Sequence, residues 1–333
     1  QRLGHVTQVT ASEPGHTFHT RLTHTIKVAQ VARALAGRFK KQWESGSLQG
    51  TAAQLVAPPD PDAAQAAALA HDLGHPPFGH IAEERLNEKA RAAGGFEGNA
   101  QSFRIITRLA AQAQRPAGLN LTRQTLNGTL KYPWPKAASG PKARKWGVYG
   151  DDDEAFGWVR EDSPPGEPTL VARLMDWADD LTYAVHDVDD FYRAGLVPLD
   201  RLAGRGREIE YFRDGLIRTK RARDSSEADA LIAALEDVLS LFRLREAYSA
   251  TVDQRIALRT FGSRLIGTYV EAVSLHDGGI PGKAIYKIDA DAEKQVKVLK
   301  ALTWVYVVRR PSLAVMQRGQ KQIVDSLHDW YLE

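Results

Sequence analysis

The chain has 333 residues, 43% hydrophobic and 26% charged, with a formal net charge of +3. Such a length carries one large domain or two ordinary ones, and the charge is far below the basic excess of a dedicated nucleic-acid binder. There is no cysteine, which excludes disulfides, thiolate chemistry and cysteine-held zinc, and no apolar run reaches the roughly 18 residues of a membrane span. With no signal peptide visible, the expectation is a cytoplasmic protein that does not touch a membrane.

The first predicted helix covers 19–39, where Leu22, Ile26, Ala29, Ala32 and Leu35 recur at three and four, and it should end near Gly37. A second, alanine-rich helix covers 62–75 with Asp62 as its cap, and Pro76 and Pro77 stop it because neither has a backbone N–H. Helices follow at 79–91 and 99–114. The stretch 133–168 is rich in Pro, Gly and charge, with a basic block before an acidic one. It is expected to be a long loop excursion, either a lid or a solvated segment. Residues 169–194 form a long helix free of Gly and Pro. Further helices are expected at 225–249, 251–276 and 311–331. KAIYKI (283–288) and LTWVYVV (302–308) are short strand candidates, the second equally readable as helix. The fold class is therefore all-α, one compact helical domain over 1–333 with at most a minor β-hairpin, its C-terminal helical part being 200–333.

The chemistry concentrates in LAHDLGHPPFGHIAEE, residues 69–84, which holds three of the ten histidines. His71 and His75 are i and i+4 on one predicted helix face, and Asp72 sits about 100° round from His71. After the double proline, His80 and Glu83 return towards the same point. One His-Asp pair would read as polar residues at a helix end. Four such groups at the end of an apolar helix need partners, and a metal ion supplies one. Arg21 and His24 lie one turn apart on the first helix. Asp179, Tyr183 and Asp187 form an i, i+4, i+8 row while Leu181, Ala184, Val185 and Val188 take the packing face. The acidic row is either solvated or pointed at a site.

The order His24, His71-Asp72 and a late Asp resembles the HD superfamily of metal-dependent phosphohydrolases. More narrowly, HTRLTHTIKVAQVAR, AHDLGHPPFGHIAEERLN, GGFEGNAQSFRII, LNLTRQTLNGTLKYP and MDWADDLTYAVHDVDD resemble the deoxyguanosine triphosphate triphosphohydrolase family. The blocks run in family order from about residue 2 to 195, and the likeness beyond 200 is only general.

That resemblance implies hydrolysis of a dNTP at the α-phosphorus to deoxynucleoside and triphosphate. It assigns His24, His71, Asp72 and Asp179 as ligands of a divalent metal, Mn or Mg first, with Fe, Ni or Zn as alternatives. His80 becomes the proton donor held by Glu83, with His75 and Glu97 flanking. Arg21 and Lys131 fall to the phosphates, and Gln8, Tyr183 and Asp187 to the sugar. Asp180 stands where the mammalian relative has a lysine, so phosphate binding must be built differently. Gly94 and Gly95 stand where relatives often carry a histidine, which removes support for a second nucleophilic histidine. Lys142, Arg144 and Lys145 are candidates to close over the triphosphate. The family also implies a closed homo-oligomer, hexamer or tetramer, and single-stranded DNA or a second nucleotide as effector. The rival readings are another HD nucleotidase or phosphodiesterase, and a nucleic-acid-binding regulatory protein with a vestigial site.

Overall fold

The computed structural model describes residues 2–5, 19–48, 57–110, 118–204, 206–280, 283–308 and 310–333. Among them the fold is all-α with one antiparallel hairpin. Gln8, expected at the sugar, lies outside the described residues.

Helix α1 (Arg21–Glu44) starts where the Thr20 hydroxyl accepts from the Thr23 N–H at 3.2 Å. It does not end near Gly37 as expected but runs seven residues further. The buried stripe of Val28, Ala32, Leu35 and Phe39 continues through that point, so packing outweighs the propensity cost of one glycine. Helix α2 (Pro61–Ala70) is capped by Asp60, not Asp62, because Asp60 accepts from the Asp62 N–H at 2.8 Å and Pro61 takes the first helical position. Ala64, Ala67 and Ala68 are fully buried, and their small size brings α2 close against α1. This helix stops at Ala70, five residues earlier than expected, and His71–Gly74 form a turn.

Helix α3 (His80–Lys89) follows the prolines, and α4 (Gly98–Arg104) passes into a wider turn at Ile105–Leu109. Helix α5 (Arg123–Thr129) was not expected from sequence. Its Gly128 is required by packing, since a Cβ there would lie 2.6 Å from Val171 Cγ1.

The excursion at 133–168 is not a solvated loop. It folds into α6 (Pro141–Arg144) and α7 (Asp153–Arg160), and it buries Trp146, Val148 and Val159. Val148 and Val159 join Ala70, Phe103 and Leu126 in a second, smaller apolar cluster. The buried Arg160 donates to Asn127 Oδ1 at 2.8 Å and to the carbonyl oxygens of Pro164 and Glu167, which staples the excursion to α5.

Helix α8 (Leu170–Arg193) is the central rod, packed on α1 and α2. After it come α9 (Leu199–Ala203), α10 (Arg207–Arg218), α11 (Ser225–Ser240) and α12 (Val252–Glu271). Two expected helices are shorter than read, ending at Ser240 and Glu271. Strands β1 (Val273–Ile280) and β2 (Lys283–Ile288) pair antiparallel with Val273 opposite Ile288. The segment 302–308 is helical, not a strand: it closes α13 (Ala290–Thr303) and the turn Trp304–Val308, before α14 (Pro311–Leu332). The main apolar cluster is continuous through α1, α2, α8, α11, α12 and α13. No helix among the described residues is long and apolar enough to cross a membrane.

If the excursion is packed structure, Trp146→Ala should cost about 3–5 kcal/mol in denaturant unfolding. Limited proteolysis of the wild type should leave 145–168 uncut; rapid cleavage there would contradict the packing.

Candidate metal centre and its surroundings

Three segments bring their polar side chains to one point. Helix α1 supplies Arg21 and His24, the turn after α2 supplies His71 and Asp72, and α8 supplies Asp179. His24 Nε2 is 2.9 Å from Asp179 Oδ1, and His71 Nε2 is 3.6 Å from the same oxygen and 3.7 Å from Asp72 Oδ1. Donors at adjacent positions around an ion with bonds of ~2.1 Å lie about 3 Å apart, so this set is spaced for a small cation. Two more observations fit. The carbonyl oxygen of Ala68 can only accept, so His71 Nδ1 at 2.6 Å must carry the proton and Nε2 faces the carboxylates. His71 Nε2 and His24 Nδ1 are both buried without a hydrogen-bond partner. The residues present therefore fit a divalent ion held by His24, His71, Asp72 and Asp179. Asp179 is the most open of the four, its side chain 26% exposed, so a ligand would approach over α8.

Charge is arranged accordingly. Burial disfavours the charged His71 ring, but Asp72 and Asp179 overcome it and hold the group up to about 9. Burial also opposes ionisation of Asp72, yet His71, Arg21 and His75 pull its pKa well below the usual carboxylate range. Asp179 is likewise depressed by His71 and His24 against its burial.

The expected helical pairing of His71 with His75 is not what places them. His71 follows the last residue of α2, and His75 lies beyond the turn, where its Nδ1 sits 3.1 Å from Asp72 Oδ1. Burial pushes the His75 pKa down to about 4, so the ring is neutral at pH 7. Glycines make room for this turn. A Cβ on Gly98 would come within 2.9 Å of the His75 ring, and one on Gly74 within 2.2 Å of the Gly98 carbonyl oxygen and the Ser102 nitrogen. Phe78 and Gly79 both have φ in the left-handed region, a strained reversal that starts α3 at His80.

His80 is the exposed member, with Nδ1 2.9 Å from Glu83 Oε2 and its ring centroid 6.4 Å from that of His75. Glu83 Oε1 accepts from the Gly98 N–H at 3.1 Å and from Lys145 Nζ at 2.9 Å. Burial opposes its ionisation, but His80 and Lys145 hold its pKa well below the ordinary value. Glu97, expected to flank the site, caps α4, accepting from the Asn99 and Ala100 N–H groups, and pairs with Lys145 at 3.0 Å. Burial raises its pKa.

The expected substrate contacts divide. Arg21 was read as a fork for phosphate, but its Nη1 is committed to Asp72 Oδ2 at 2.7 Å, and its buried Nε has no hydrogen-bond partner. Lys131 is ion-paired with Asp176. Burial disfavours the Lys131 charge, but Asp176, Asp179 and Asp180 raise its pKa above the ordinary value. Tyr183 stands one turn before Asp187 on α8, and its ring is edge-on to His24 at 6.4 Å. Burial pushes Asp187 up to about 7, against the bonds from Tyr183 and Thr303.

Lys145, one of three candidates to close over the triphosphate, lies between Glu83 and Glu97. Lys142 instead lies over the Trp134 ring at 4.9 Å. The sequence carries no signal for Lys300 or for the cluster in which His19 bonds Asp190 through its backbone nitrogen and Nδ1, both at 2.7 Å, and stacks on His186. The partners lie far apart along the chain, so no local spacing announces them.

Comparison with known proteins bears on this constellation. The HD domain family model matches residues 21–184, the stretch that carries His24 to Asp179. The Deoxyguanosinetriphosphate triphosphohydrolase-like protein of Streptomyces coelicolor is 36% identical over 98% of this chain and 76% of its own length. The chain belongs to the HD-domain deoxyguanosinetriphosphate triphosphohydrolase-like family. The proteins of the same name from Corynebacterium efficiens (35% identical, 99% of this chain, 76% of theirs) and Mesorhizobium japonicum (34%, 99% and 73%) agree. As a member of this family, the protein is a metal-dependent HD-type phosphohydrolase.

A cation must displace the proton that the two carboxylates hold on His71. Metal uptake at pH 7 should therefore release about one proton, and affinity should rise with pH until it levels off near 9. Titration in buffers of different ionisation enthalpy measures the release; none at pH 7 would contradict a His71 ligand. Asp72→Ala should lose metal by elemental analysis while keeping a helical circular dichroism spectrum.

Proposed function

We propose that this phosphohydrolase is a dNTP triphosphohydrolase, cleaving at the α-phosphorus to release deoxynucleoside and intact triphosphate, with Mn or Mg as its metal. The observation that carries this reading is the row on α8: Asp179 at the metal centre, then the half-buried Tyr183 and the buried Asp187 one and two turns on. The naming of its relatives as deoxyguanosinetriphosphate triphosphohydrolase-like proteins supports it.

In this reading, a divalent ion at His24, His71, Asp72 and Asp179 supplies charge stabilisation at a phosphate oxygen. The remaining work belongs to side chains. Water attacks the α-phosphorus as the P–O5′ bond breaks; His80 gives a proton to the departing 5′ oxygen, and the proton the water loses restores the acid for the next turnover. Glu83, kept ionised by its neighbours, fixes the ring through Nδ1 and leaves Nε2 to face the substrate. Lys145 neutralises the Glu83–Glu97 pair, so two buried carboxylates can lie side by side. Tyr183 sets its ring against the sugar where a 2′-hydroxyl would need space. Asp187 meets the 3′-hydroxyl, and at pH 7 it is part protonated and part ionised. A site built to pair a hydroxyl rejects an analogue without it, because its own buried groups are left unpaired.

The expected behaviour is hydrolysis of dGTP with release of tripolyphosphate, little use of GTP and poor use of the 2′,3′-dideoxy form. Asp187→Ala should narrow the gap between deoxy and dideoxy substrates. Turnover of dGTP, GTP and ddGTP with identification of both products decides it; equal use of GTP and dGTP would favour a general nucleotidase. His80→Ala should keep metal and lose turnover by ~10²-fold or more.

A further inference from the structure

His71 and His24 are fixed in different ways. A metal-ligating imidazole is ordinarily oriented by a hydrogen bond at its other nitrogen. His71 has one, to the Ala68 carbonyl oxygen at 2.6 Å. His24 does not: its Nε2 faces Asp179, and its buried Nδ1 has no hydrogen-bond partner among the described residues. The His24 ring is met by other rings instead. His186 stands edge-on to it with centroids 6.2 Å apart, and Tyr183 does so at 6.4 Å.

His186 is itself clamped. The His19 ring stacks on it at 4.1 Å, within 8° of parallel. Asp190 then holds His19 at two points, accepting from its backbone N–H and from Nδ1, both at 2.7 Å. Helix α8 carries both ends of this series of contacts. Asp179, His186 and Asp190 are i, i+7 and i+11, which places them within about 20° of one line along the helix. His19 and His24 lie on either side of the Thr20 cap of α1. The start of α1 is thus tied to α8 at Asp179 and again at Asp190, roughly 16 Å further along the rod. The His186 ring fills the interval. The same groups do not leave an open cation site, because both oxygens of Asp190 accept from His19 and Asp189 is paired with Arg193 at 2.9 Å.

We infer that His186 is a positioning residue for the metal ligand His24: locked against His19 by Asp190, its ring holds the His24 imidazole turned towards Asp179. The contact is one of ring faces and edges, and His186 Nδ1 takes no hydrogen bond among the described residues. The inference rests on the metal centre and not on the choice of substrate.

Manganese ion titrated calorimetrically into the metal-free full chain tests it. The wild type should bind a single ion. His186→Ala should weaken binding by about tenfold or more, the usual cost of removing the support behind a metal ligand, and keep a helical circular dichroism spectrum. His186→Phe retains a flat ring and should bind nearly as tightly as the wild type. Asp190→Ala, which releases His19 but leaves the His186 ring in place, should fall between the wild type and His186→Ala. Undiminished affinity in His186→Ala, whatever its melting temperature, would overturn the inference. So would a phenylalanine variant as weak as the alanine one, since a ring nitrogen would then be needed. Should His186→Ala not fold, Asp190→Ala carries the test, and wild-type affinity there overturns the inference. A second bound ion that Asp190→Ala abolishes would also overturn it, making His19, Asp189 and Asp190 a cation site.

Discussion

The carboxylate of Asp72 is the point on which this structure turns. It is buried, and a buried carboxylate without partners is costly. One oxygen takes Arg21 from α1, and the other faces His71 and His75 on either side of the turn. Removing Arg21 leaves one carboxylate oxygen without its cation in the interior, whereas His75 is a neutral partner. The Arg21–Asp72 bond thus ties the first turn of α1 to the exit of α2. The alanines of α2 make that docking possible, because a larger side chain at Ala64, Ala67 or Ala68 would hold α1 away.

A second charge cluster rests on the first. Glu83 and Glu97 lie close enough to share one ammonium, and Lys145 reaches them from the excursion. The excursion is held in turn by Trp146 in the interior and by Trp134 Nε1, which donates to the Lys145 carbonyl oxygen at 2.8 Å. The position of His80 thus depends on a segment sixty residues downstream. The left-handed backbone at Phe78 is tolerated because Glu83 accepts from Gly98 and ties α3 to α4.

Periodicity exposed α1 and α8 because each has an apolar stripe long enough to repeat several times. The convergence of His24, His71, Asp72 and Asp179 followed from motif order, since those residues serve chemistry more than packing. What the sequence hid has physical reasons. Gly37 looked like a stop, and nothing local reports that Phe39 beyond it is buried. The excursion looked solvated because Pro, Gly and charge dominate it, whereas its order comes from three buried side chains spaced irregularly. Helix α5 is short and glycine-bearing, and it exists because Gly128 fits against Val171. Arg21 and Lys131 are expected at the phosphates, and spacing alone cannot show that Asp72 and Asp176 already hold them.

Helix α8 shows why an acidic row need not be a solvated face. Its carboxylates are met by cations or donors from different parts of the chain: Asp176 by Lys131, Asp179 by His24 and His71, Asp180 by Lys300, Asp187 by Thr303 and Asp190 by His19. Asp189 is paired within the helix by Arg193. Each pairing draws a different element onto the same rod, so the acids organise the fold as well as the site.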